Sequence, residues 1–193
     1  MTPEPGIGPT PSQTVGPFFH DALLDEDRSE LVSLDHPGAI RIEGAVYDGA
    51  GEPVTDAMVE IWQANQPGRH DDPEDDPKET PQGSGAFSGF GRSGTDAGGE
   101  FSFVTVKPGP VTLPDGGMQA PHIMVSVFAR GLLKRVVTRI YFPEEEEANA
   151  ADPVLSSIED PKPRETLLAR VEGVALRFDI HLQGENQTVF FEL

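Results

Sequence analysis

Apolar and polar residues alternate with period two in Phe101-Ser102-Phe103 and in Arg177-Phe178-Asp179-Ile180-His181-Leu182. That is the pattern of a strand with one buried face. Short segments of the same kind, each closed by turn residues, begin at Ile40-Arg41-Ile42-Glu43 and Gly44-Ala45-Val46-Tyr47. They continue at 57–62, 100–106, 122–129, 134–142, 176–182 and 188–191. Asp96-Ala97-Gly98-Gly99 predicts a tight hairpin turn leading into Glu100. Helical spacing is confined to 21–33 and 163–171; in the second, Pro163 suits a first turn and Leu167, Leu168 and Val171 share one face. The pattern predicts an all-β fold, an antiparallel or mixed two-sheet β-sandwich with short peripheral helices. Residues 1–19 form an extended N-terminal arm expected to pack on a partner chain, and 20–193 a single sandwich domain.

Composition sharpens this picture. Gly and Pro supply 21 and 19 of 193 residues while hydrophobic residues still make 36%, too much punctuation for a helix bundle and too much apolar content for a disordered chain. Cysteine is absent, which removes disulfides, thiolate metal sites and cysteine nucleophiles together. The net charge of −19 argues against nucleic acid or anionic lipid as partner. The start Met1-Thr2-Pro3-Glu4-Pro5 lacks the basic and apolar stretches of a signal peptide, and no long apolar run follows, so a cytoplasmic location is expected.

The candidate chemistry is sparse. The acidic cluster at 71–76 lacks calcium-loop spacing, and Glu144–Glu147 suits the first turn of a helix; both read as solvated surface. The glycines of 83–91 are followed by no Lys-Ser/Thr, so they form no phosphate cradle. Among His20, His36, His70, His122 and His181, only His181 has a same-face acid, Asp179, and no third donor accompanies that pair. No Gly-x-Ser-x-Gly elbow is present. Residue types alone lead to an acidic β domain of undefined role.

Ordered strings go further. Thr10-Pro11-Ser12-Gln13-Thr14-Val15-Gly16-Pro17-Phe18-Phe19 is followed by Val59-Glu60-Ile61-Trp62-Gln63-Ala64-Asn65, Phe90-Gly91-Arg92 and Thr105-Val106-Lys107-Pro108-Gly109-Pro110. Then come Ala120-Pro121-His122-Ile123, Thr138-Arg139-Ile140-Tyr141-Phe142, Arg177-Phe178-Asp179-Ile180 and Gln187-Thr188-Val189-Phe190-Phe191. In this order the chain resembles the intradiol ring-cleaving dioxygenases over nearly its whole length. The resemblance implies a β-sandwich with non-haem ferric iron held by two tyrosinates and two histidines, hard donors that suit the metal. It also implies a catechol activated by that iron, attacked by O2 and opened between its hydroxylated carbons.

The chain departs from that pattern at the ligands. The tyrosine expected after Lys-Pro-Gly-Pro is Val111, and the His-x-His pair is reduced to His122 with Met124 at the second position. The loop after Trp-Gln-Ala-Asn offers Pro77 or a neighbour and no tyrosine; the only tyrosines, Tyr47 and Tyr141, stand outside these motifs. One ligand in four cannot hold the metal. The resemblance therefore implies an iron-free α-type chain that binds no metal itself and pairs with a β subunit carrying the ferric iron. In that assembly Thr14, Gly16, Pro17 and Arg130 would reach the partner's pocket, where protocatechuate and O2 react. A transthyretin-like carrier or structural sandwich module is the alternative, and it would not require the Pro-Ser-Gln-Thr arm.

Overall fold

The computed structural model describes Thr14 and residues 22–24, 28–70 and 87–192. Gly16, Pro17, Pro77 and the whole acidic cluster at 71–76 thus lie outside the described residues.

The strands are β1 (Ala39–Tyr47), β2 (Met58–Gln63), β3 (Phe90–Gly94), β4 (Glu100–Val106), β5 (Val111–Thr112), β6 (Met118–Gln119), β7 (His122–Phe128) and β8 (Val136–Tyr141). Helices α1 (Glu146–Ala151), α2 (Pro153–Ser156) and α3 (Pro161–Glu165) follow, then β9 (Arg170–Glu172), β10 (Ala175–Arg177) and β11 (Ile180–His181). In one sheet β1 is antiparallel to β4 on one side and parallel to β10 and then β11 on the other, with β9 beyond β10. The second sheet runs β3-β2-β7-β8 and is antiparallel throughout. This is the mixed two-sheet sandwich expected. Its core is made by inward positions of alternating strands: Val59 and Ile61 of β2, Ile123, Val125 and Val127 of β7, and Ile42, Phe101 and Phe103 from the opposite sheet.

Several expectations need correction. The segment 21–33 is not one helix: only Ala22 and Leu23 are helical among its described residues, while Arg28 and Glu30 bridge Arg92 and Val104 in extended backbone. Pairing to strands of both sheets wins there over helical spacing. The helix expected at 163–171 is shorter and earlier, with Asp160 capping Lys162 N–H and Pro161 opening it. Leu167 is fully buried whereas Val171 is exposed on β9, so the two share no helix face. The turn at Asp96–Gly99 does form: Asp96 Oδ1 accepts from Gly98 and Glu100 N–H, and Gly99 sits at φ 72°. However, β3 and β4, which it joins, enter different sheets, so it is a corner and not a hairpin. The strand expected at 176–182 breaks into β10 and β11, and 188–191 contributes only a bridge from Phe191 to Val137. The acidic run before α1 is exposed at Glu144, Glu146 and Glu147, but Glu144 and Glu145 also hold Lys107 Nζ, at 2.7 and 2.5 Å.

One buried carboxylate ties the helical segment to the sandwich. Asp152, fully buried, accepts from Ala120 N–H at 2.8 Å, from Val154 and Leu155 N–H at the start of α2, and from the Tyr141 hydroxyl at 3.2 Å. Asp152→Ala orphans three backbone donors at once and is expected to cost about 3–5 kcal/mol of stability. Asp152→Asn, which keeps one acceptor oxygen, should cost less. Denaturant midpoints decide this, and a loss for Asp152→Ala below about 1 kcal/mol would show that the cap is replaced by water.

Candidate functional site

Three loops and a strand end converge where the family motifs lie. Gln63 closes β2 by reaching across the sandwich: its Nε2 donates to Val106 carbonyl at 2.8 Å and its Oε1 accepts from Thr105 Oγ1 at 2.7 Å. Asn65 then shapes the next loop, donating to Arg69 carbonyl and accepting Arg69 N–H on Oδ1. Gly68, at φ 83°, lies so close to Pro110 that an added Cβ would stand 2.0 Å from its carbonyl oxygen. Asn65 carbonyl also accepts from Gly109 N–H at 3.0 Å. The Trp-Gln-Ala-Asn and Lys-Pro-Gly-Pro motifs thus lock two loops together. Val111 follows directly, half-buried in β5 and paired with Gln119 of β6, which runs into β7 and its first residue, His122.

His122 is buried, 5% exposed, with Nδ1 2.8 Å from Ala120 carbonyl. Because a carbonyl only accepts, Nδ1 carries the proton and Nε2 holds the lone pair. Burial, and next the Arg139 charge, lower its pKa from 6.5 to about 4. His70, at the end of the Asn65 loop, is close enough to push in the same direction, and its own Nδ1 is sealed from solvent with no hydrogen-bond partner among the described residues. Sequence reading assigned His70 no role; its place five residues after Asn65 was the signal available. Met124 is half-buried on the same outward face of β7.

Since the folded pKa of His122 lies below its unfolded value, the unfolded chain binds the proton more readily. Stability attributable to His122 is complete above pH 6.5 and falls as pH drops toward 4. The loss amounts to about 3 kcal/mol at the acid end. His122→Gln should flatten the unfolding free energy across that window relative to the parent chain. Identical pH slopes for both would contradict the assignment.

The tyrosines do not repair the donor set. The Tyr141 ring packs at a tilt 5.6 Å from that of His122, but its hydroxyl donates to Asp152 and accepts from Arg139, both at 3.2 Å. Burial foremost pushes its pKa up to about 12, so it stays a neutral phenol. Tyr47 stacks on His181 at 5.0 Å, in the other sheet. Asp179, which sequence paired with His181, is claimed by Arg170 and Arg177, each at 2.7 Å, and by Ala45 N–H. Among the described residues no cluster of three or more His, Asp or Glu side chains is arranged as a metal centre. Valine, a thioether and imidazoles without tyrosinate do not fit the ferric ion implied by the resemblance.

Arg130 stands apart from this cluster. It begins the β7–β8 turn at the opposite end of β7 from His122, roughly 20 Å of strand away. Its side chain is 68% exposed and paired with Asp56. Thr14, the one described residue of the arm, is exposed. The structure thus brings His70 near His122, with Met124 on the same face of β7 and Val111 on the β5–β6 ribbon that leads into that strand, and leaves Arg130 outside them. A cavity of 720 Å³ opens near α3, β10 and β11, where Lys162 pairs with Glu185, Arg170 with Asp179, and Arg177 with Asp179 and Glu100. No described helix is long and apolar enough to cross a membrane.

Comparison with known proteins gives this scaffold its context. A family model described as Dioxygenase matches residues 14–184. The chain is 44% identical to a protocatechuate 3,4-dioxygenase alpha chain of Pseudomonas putida, over 95% of this chain and 96% of that one. It is 34% identical to a protocatechuate 3,4-dioxygenase beta chain of Burkholderia cepacia, over 92% of this chain and 77% of that one. The dioxygenase domain of a dioxygenase–carbohydrate-binding fusion from Streptomyces sp. SirexAA-E superposes with a TM-score of 0.55 at 27% identity, covering 92% and 99% of the two chains. By sequence and by fold, the chain belongs to the intradiol dioxygenase family.

Proposed function

We propose that this chain is the iron-free alpha chain of a protocatechuate 3,4-dioxygenase, acting in the cytoplasm as one half of a catalytic pair. The iron on which this family depends is held by a β chain, which carries the tyrosinates and histidines missing here. One observation carries the reading: an otherwise intact family scaffold presents Val111, Met124 and one buried, proton-donating imidazole at its ligand positions. Likeness to both an alpha and a beta chain supports a hetero-oligomer of related sandwiches. Co-expression with an iron-bearing β chain tests this, the expected product being a stable complex that opens protocatechuate with O2. Failure of the two chains to associate would overturn the reading.

Within the pair, Thr14, Gly16 and Pro17 line the partner's pocket, glycine admitting close approach and proline fixing the turn. Arg130 supplies positive charge for the substrate carboxylate. A chain of net charge −19 otherwise repels such an anion, and a guanidinium stays protonated at any working pH. Asp56 accepts from Arg130 Nε, and the Arg130 side chain remains largely exposed. Arg130→Ala is expected to raise KM for protocatechuate about 5- to 30-fold, equivalent to roughly 1–2 kcal/mol, and to leave KM for catechol nearly unchanged. Equal effects on both substrates would make Arg130 a packing or interface residue.

A further inference from the structure

The outward face of the β3-β2-β7-β8 sheet breaks the polar-out rule of a sandwich. Where alternation should place charged side chains, Phe90, Trp62, Met124 and Phe128 line a groove of about 330 Å³, with Glu60 and Arg135 at its rim. Trp62, the only tryptophan of the chain, is 46% exposed there and packs 6.1 Å from Phe90. Arg92 stiffens one wall by gripping Glu60 at 2.9 and 2.6 Å while its guanidinium lies 5.4 Å from the Phe90 ring centroid. One exposed tryptophan flanked by half-buried Phe90 and Phe128 on a sheet face is the form of an interface anchor more than of a solvated face.

The charge around the groove points to what covers it. Residues 116–143 contain no Asp or Glu but hold Arg130, Lys134, Arg135 and Arg139, four of the fourteen cations of a strongly acidic chain. Arg130 is paired with Asp56, and Arg139 is spent on the Tyr141 hydroxyl and the Phe191 ring. Arg135 has no carboxylate partner among the described residues, at the edge of the apolar groove. Arg130 and Arg135 flank the same β7–β8 connection, so a partner that meets Arg130 is brought onto this face.

Building on the αβ assembly proposed above, we infer that this groove seats a segment of the partner dioxygenase chain, with an apolar anchor against Trp62 and Phe90 and a carboxylate on Arg135. The sheet face is then an assembly surface whose selectivity comes from one cation in an apolar setting. It is a specific contact between two chains that need not attract each other through net charge.

The single tryptophan makes the test direct. This chain alone is labelled with 5-fluorotryptophan, and the fluorine resonance is followed with a soluble paramagnetic chelate, free and in the reconstituted complex with the β chain. The expected result is a resonance broadened in the free chain and protected in the complex. Trp62→Ala and Arg135→Glu, both outside the core, should each weaken assembly about tenfold or more. A complex that forms and turns over while Trp62 stays open to the chelate overturns the groove and leaves the assembly itself standing. Protection by a hydroxybenzoate without the β chain overturns it in favour of a small-ligand site, and protection that grows with the concentration of this chain alone overturns it in favour of a second copy. Absence of any complex removes the assembly reading and this inference together.

Discussion

Deleting residues 1–19 is expected to leave the sandwich folded and to reduce the activity of the two-chain enzyme by about a hundredfold or more. The two halves of that expectation have separate physical grounds. No described residue before Leu31 belongs to the hydrophobic core clusters, so the fold should hold without the arm. The arm carries Val15, Phe18 and Phe19 around Gly16-Pro17, apolar groups that would anchor on the other chain in the proposed assembly. Thr14, Gly16 and Pro17 would be lost from the pocket wall with it, and misplaced walls cost rate as well as affinity. Complex formation by size-exclusion chromatography and turnover of protocatechuate by the truncated pair are the measurements. Intact complexes with undiminished turnover would show the arm to be a tail without function.

How far the sequence reached differs between scaffold and site. Period-two alternation located β4 residue for residue and β1, β2, β7 and β8 to within two residues at each end, because burial on one face dictates side-chain type there. It failed at Phe90–Gly94, where two glycines and an arginine carry no strand signal and β3 is defined by its pairing to β2. It failed again at 28–33, where a helical spacing is overridden by bridges to both sheets. Tertiary pairing has no local signature in either place.

The motif strings were legible as a family, but what most of them do was visible only in three dimensions. Gln63 links the two sheets, Asn65 closes the loop that presents His70, and Lys107 holds Glu144 and Glu145. Asp179 fixes Arg170 and Arg177 against β1. These residues build the platform on which, in the proposed reading, an intradiol site would sit. The substitutions themselves were plain in the sequence. The polarity of what remains was not: the proton on His122 Nδ1 and the neutral phenol of Tyr141 follow from Ala120, Arg139 and Asp152, which only the fold brings near.

The second large expectation is all or none. A chain with Val111 and Met124 at ligand positions has no tyrosinate to give to a ferric ion and should neither hold iron nor open a ring by itself. Tyr141 cannot substitute without surrendering its hydrogen bond to a buried carboxylate and ionising against a pKa near 12. Restoring single donors is expected to fail as well: Met124→His alone adds one imidazole to a set that still lacks both phenolates.

Iron content and the visible spectrum of the chain purified alone, set beside those of its complex with the β chain, test this most directly. The chain alone should be colourless, free of stoichiometric iron and inactive, while the complex shows the tyrosinate-to-iron charge-transfer band and consumes protocatechuate. That same band in the isolated chain, accompanied by ring opening, would contradict the account.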